Sequence, residues 1–197
     1  MQSWSKTMAV GVAGLTVVGG SKAEASPISE TVLSTSFSVQ TSSGNGEIAT
    51  ESESFNVEGF SGGPGVILES VILELTGASL SGEFPDAGQA SIDVAIGGAS
   101  ESVLVTSPIV FSEPVSGIVD LLTFSEFENA DFTQDFTVSA VLSIRGDSET
   151  IFTTFAAGPD ALTVTYHSTV VPLPAALPML LFGVAGIAGL RLTRRDT

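Results

Sequence analysis

The stretch Phe136-Thr137-Val138-Ser139-Ala140-Val141-Leu142-Ser143-Ile144-Arg145 alternates apolar with polar residues at every step but one, where Val141 stands between Ala140 and Leu142. Successive side chains of a strand point to opposite faces. Phe136, Val138, Ala140, Leu142 and Ile144 therefore form one apolar face, and Thr137, Ser139, Val141, Ser143 and Arg145 form a wetter one. A period of two over ten residues predicts a half-buried strand, because a helix would scatter the same apolar set around its axis.

The same period recurs on both sides of this stretch. Leu33, Thr35, Phe37 and Val39 alternate with Ser34, Ser36, Ser38 and Gln40. Val71, Leu73 and Leu75 alternate with Ile72, Glu74 and Thr76; Ile92, Val94 and Ile96 flank Asp93 and Ala95; and Leu162, Val164 and Tyr166 alternate with Thr163, Thr165 and His167. Turn residues separate these runs at Gly44-Asn45-Gly46, Gly59 to Gly65, Gly97-Gly98 and Gly158-Pro159-Asp160. No helix-period segment stands out between the termini. Short strands with turn signals between them predict an all-β fold, an antiparallel β-sandwich over residues 26–170.

The ends read as addresses. Lys6 precedes an apolar stretch, Met8 to Gly20, and then Ala23-Glu24-Ala25. A basic start, a short apolar run and an A-x-A site describe a secretory signal peptide over residues 1–25, cut after Ala25. Leu173 to Leu190 is uncharged. As a helix it would measure about 27 Å, close to the roughly 30 Å hydrocarbon core of a bilayer. A transmembrane helix is expected over about residues 174–190, with a basic tail at 191–197. Arg191, Arg194 and Arg195 form a stop that holds the C-terminus in the cytoplasm and leaves the domain outside. Pro172 and Pro174 keep the entry extended, where a membrane protease can engage it.

Val171-Pro172-Leu173-Pro174-Ala175, an apolar helix and the arginine tail resemble the PEP-CTERM class of bacterial sorting signals, in its VPLPA variant. The resemblance covers residues 171–197 and differs from most members in having Leu173 where they carry glutamate. It implies an exported protein of a Gram-negative cell that is held transiently in the inner membrane. An exosortase, a membrane-embedded protease-transpeptidase, would then process it and sort it to the envelope or the extracellular polymer. Phe55-Asn56-Val57-Glu58-Gly59-Phe60, the strand Leu68 to Leu80, the stretch Phe124 to Phe136 and Leu162 to Tyr166 resemble the choice-of-anchor E domain.

Charge narrows the function classes. The chain has 22 acidic and 6 basic residues; setting aside Glu24 and Asp196 leaves 20 acids between the two end segments, where Arg145 is the only base. A surface near −19 repels phosphate backbones, so nucleic acid is excluded as a partner. There is no cysteine, hence no disulfide, thiolate nucleophile or cysteine metal site. His167 is the only histidine, and Ser-His-Asp chemistry needs a base held by a carboxylate; it is read as a strand-end residue on the wet face.

Calcium suits an oxygen-rich, lysine-poor domain. Glu126, Glu128 and Asp131, with Asn129 among them, are the candidate ligands, and Glu51 with Glu53 share a strand face. Neither group follows a calcium-loop pattern, and a solvated acidic face explains both. Trp4 belongs to the signal peptide, which leaves Tyr166 as the one aromatic with a polar handle; the 12 phenylalanines read as core. A ring-stacking sugar cleft is disfavoured, and contact with an extracellular polysaccharide would run through hydroxyls. The favoured function is a non-enzymatic envelope or matrix structural protein with no cofactor. A calcium- or glycan-binding surface module is the alternative, with a hydrolase last.

Overall fold

The computed structural model describes residues 26–147 and 149–171. Eight strands follow one another: β1 (Ser26–Ser43), β2 (Ile48–Val57), β3 (Val66–Gly82), β4 (Ala87–Ile96), β5 (Ala99–Thr106), β6 (Pro114–Asp120), β7 (Phe136–Arg145) and β8 (Ile151–Val170). They form two four-stranded antiparallel sheets, one in the order β1-β8-β3-β6 and the other in the order β2-β7-β4-β5. Buried apolar residues of both sheets belong to one core cluster, an arrangement consistent with a β-sandwich. Among the described strands, only β4 and β5 are joined by a tight hairpin, through Gly97 and Gly98. Both have positive φ, as the favoured two-residue hairpin turns require.

β7 lies between β2 and β4 and keeps an unbroken register with each. Phe136, Val138, Ala140, Leu142 and Ile144 are buried, while Thr137, Ser139, Val141 and Ser143 are half-buried. The alternation in the sequence is thus the alternation in the sheet. The alternating residues of β3 in the other sheet, Val71, Leu73, Leu75, Ala78 and Leu80, are equally buried in the same core cluster. At about 1.5–3 kcal/mol for each fully buried aliphatic side chain, such faces supply the main drive for folding in a chain without disulfides.

Two elements depart from the sequence expectation. Gly158-Pro159-Asp160 reads as a break between strands, yet β8 runs through it. Thr35 pairs with Leu162 and Phe37 with Ala157, so four residues of β8 stand against one of β1. This large bulge absorbs a proline that cannot donate to the ladder and an aspartate at φ 56°. The Ser34 hydroxyl donates to the Asp160 carboxylate at 2.7 Å and holds it in place. β3 shifts register at the same level, where Gly77 (φ 62°) donates its N–H to the Ser116 hydroxyl at 2.9 Å.

The second departure concerns the phenylalanines. Phe37, Phe127, Phe132, Phe136 and Phe155 are core, but Phe84 is 78% exposed and Phe152 is 62% exposed. Phe84 packs against Phe111 in an edge-to-face pair at 4.5 Å. Among the described residues no helix is long and apolar enough to cross a membrane. The expected signal peptide (residues 1–25) and the expected helix at about 174–190 lie outside the described residues.

Candidate functional site

The two ends of the folded domain meet. Ser26 at the start of β1 pairs with Val170 at the end of β8, and Val66 of β3 pairs with the same Val170 from the other side. Val171, the first residue of the expected sorting motif, donates its N–H to the Gly65 carbonyl at 2.7 Å. Its side chain is 43% exposed. Pro172, Leu173, Pro174 and Ala175, the expected stop residues Arg191, Arg194 and Arg195, and the expected cleavage-site residues Ala23 and Ala25 lie outside the described residues.

The end where the termini leave is closed by two loops. Gly59 to Gly65 links β2 to β3, and residues 121–135 link β6 to β7. Phe60 donates its N–H to the Phe132 carbonyl at 2.7 Å and Gly59 to the Asp135 carboxylate at 2.9 Å, which ties one loop to the other. Phe127 and Phe132 fill the space beneath. The Tyr166 hydroxyl donates to the Glu58 carbonyl at 2.6 Å, and Phe60 meets the ring edge-to-face at 5.6 Å. Burial, and then the nearby Asp135 and Glu30 carboxylates, push the Tyr166 phenol up from about 10 to about 12. The arrangement is a hydrogen-bonded plug, which explains why the single tyrosine sits there.

The calcium candidates are dispersed along that plug. The Glu126 carboxylate accepts from the Ser125 hydroxyl at 2.9 Å, and Glu128 follows on the next short turn. The Asp131 carboxylate accepts both the N–H and the hydroxyl of Thr133, at 3.0 and 2.6 Å. Those two bonds hold its carboxyl below the usual carboxylate range. Among the described residues no three acidic or histidine side chains come together as metal ligands. Glu51 and Glu53 do share a face of β2, but it is the inward one, opposite Leu142 and Ala140. The Glu53 carboxylate accepts the backbone N–H of Ser38 at 2.9 Å. A charge turned inward on an outer strand blocks pairing with another chain.

His167 is half-buried on the outward face of β8, and its Nδ1 lies 2.7 Å from the Ser29 hydroxyl, directly across the strand pair. Ser29 was not singled out by sequence reasoning, because one serine among many carries no signal until the register is known. On this face the Glu69 carboxylate accepts from the Thr169 hydroxyl rather than from the histidine.

The outward face of the β2-β7-β4-β5 sheet is a ladder of short hydroxyls. Ser54, Ser139, Asp93 and Ser102 stand in one row across all four strands. Ser54 and Ser139 are 2.8 Å apart, and Asp93 accepts from Ser102 at 2.8 Å and from Ser91 at 2.7 Å. Thr50 donates to Ser143 at 3.0 Å along the same face. At its far margin Arg145 borders an open hollow of about 280 Å³, walled by Ile48, Gln89 and Ser107. Compared with known protein families, curated proteins and solved structures, the chain matches none.

Proposed function

We propose that the chain is an exported structural protein of the cell envelope or extracellular matrix, built as a β-sandwich and without enzymatic activity. A signal peptide over residues 1–25 directs export, and a VPLPA-type sorting signal over residues 171–197 holds the chain in the inner membrane until an exosortase-type protease removes it. The observation that carries this reading is the meeting of the two ends: Ser26 and Val170 are cross-strand partners. Every buried core residue lies between Phe37 and Tyr166. Cuts after Ala25 and within Val171–Ala175 therefore leave the described core whole and free the domain from two adjacent strand ends.

Surface chemistry supports the structural role. The only histidine of the chain is engaged with the Ser29 hydroxyl across the outward side of the β1–β8 pair. Twenty acids against Arg145 keep the domain hydrated and dispersed in a polymer. Mass spectrometry of the surface-localised protein tests the proposal. The expected mature chain begins at Ser26 and ends within Val171–Ala175. Recovery of an intact Arg191–Thr197 end from that pool defeats the processing step; retention of the whole chain in the cytoplasm defeats export.

A further inference from the structure

Charge is distributed unevenly over the domain, and this marks one face. The outward positions of the β2-β7-β4-β5 sheet carry one acid, Asp93, and one base, Arg145. That face is formally neutral in a domain near −19. The opposite outward face carries Glu69, Glu74, Asp120 and Asp160 and, among the described residues, no lysine or arginine. The neutral face is also low: Ser54, Ser139 and Ser102 form a row, and Thr50 and Ser143 form another. Their hydroxyls are already oriented by one another and by Asp93. A hydroxyl donates one bond and accepts two, so such rows present donors and acceptors together.

We propose that this face is the contact surface for a neutral, hydroxyl-rich polymer, an uncharged glycan chain; the inference rests on export of the domain into a polymer layer. An anionic polymer is repelled by the field of the whole domain, and a cationic one is drawn to the acidic edges and loops instead. A second copy of the chain fits poorly. Only Ile48 and Val105 offer large, well-exposed apolar side chains on this face, and stable interfaces between copies centre on a larger apolar patch. Serine and threonine are also under-represented among the residues that dominate protein–protein binding. A neutral polyol meets neither objection, since it exchanges water hydrogen bonds for hydroxyl ones and gains from a flat, pre-oriented array.

The test is a pull-down of the mature protein, purified from the cells that make it. The probes are microcrystalline cellulose and insoluble β-1,3-glucan as neutral polymers, with alginate beads as the anionic one. Expected is retention on at least one neutral glucan that changes less than twofold between 50 and 500 mM NaCl. Ser54→Arg, which adds a long charged side chain to the neutral face, should lower retention at least tenfold. Thr163→Arg adds the same charge to the opposite face and should leave retention within twofold. Thermal melts of both variants separate lost contact from lost fold. Binding to neither neutral glucan overturns the proposal, as does stronger retention on alginate or an equal loss in both variants. A concentration-dependent dimer by light scattering that Ser54→Arg abolishes also overturns it, in favour of a second copy. An unprocessed mass in the same sample would defeat the sorting reading and leave the binding result readable.

Discussion

β7 and β8 are both central strands, each flanked on two sides, yet they solve the same problem differently. β7 spends ten residues in unbroken register with β2 and β4 and has neither glycine nor proline. β8 spends twenty, loses register with β1 and β3, and carries Gly158-Pro159-Asp160 in its middle. The contrast teaches that a breaker in a sequence marks a local backbone fault without saying whether the strand ends there. In β8 the fault is accommodated by a bulge, a left-handed aspartate and one serine bond, and the strand resumes its alternation at Leu162.

The comparison breaks most visibly if β7 tolerates truncation. Leu142 is fully buried. Leu142→Ala should destabilise the domain by about 2–5 kcal/mol in urea unfolding, from lost transfer energy plus the cavity left behind. A loss under 1 kcal/mol would show that the regular strand is not where the core is held.

Beyond the bulge, Tyr166 measures how firmly β8 regains its role. Tyr166→Phe removes the donor to the Glu58 carbonyl and should cost about 1–2 kcal/mol. The raised phenol gives a second readout. Folding favours the neutral form, so this contribution is complete below the unfolded value near 10. It is lost as pH rises from there through the folded value of about 12. Wild-type stability should therefore fall more steeply than that of Tyr166→Phe between pH 10 and 12; parallel curves would contradict the assignment.

The bulge itself should matter less. Asp160→Ala keeps a Cβ at φ 56° and loses the Ser34 bond, for an expected cost of about 1 kcal/mol, whereas Asp160→Gly relieves the backbone and should cost less. A cost equal to that of Leu142→Ala would mean that the bulge is central to the fold rather than a contained fault. The smallest effect is expected from calcium. With the Asp131 oxygen already bonded twice by Thr133, millimolar calcium should leave the melting temperature unchanged. An upward shift that grows with calcium concentration would revive the loop as a metal site.

Much of the fold was legible wherever a strand is central and its two faces meet different surroundings, as at Phe136 to Ile144 and at Val71 to Leu75. Legibility failed at the outer strands. Ala99–Thr106 and Pro114–Asp120 carry weaker alternation, because a strand with one neighbour is only partly covered and need not separate apolar from polar strictly. Glu51 and Glu53 occupy the inward phase of β2 for the same reason: at an edge an inward carboxylate can still reach water or a free backbone N–H. The candidate sites were legible as residue types only. Neither the bond from Ser29 to His167 nor the row Ser54, Ser139, Asp93 and Ser102 can be found without the register.

By itself, then, the sequence determined the class of the fold, the inward faces of its central strands, the acidic balance and the absence of cysteine chemistry. These follow from a period of two and from composition, both of which are properties of single segments or simple counts. Tertiary structure alone decided that Ser26 lies beside Val170, that β8 survives its Gly-Pro-Asp fault, and that one sheet face is neutral while the rest of the domain is acidic. Each of these depends on which residues stand opposite one another across strands far apart in the chain. That register comes from burying many apolar faces at once, and no single segment contains it.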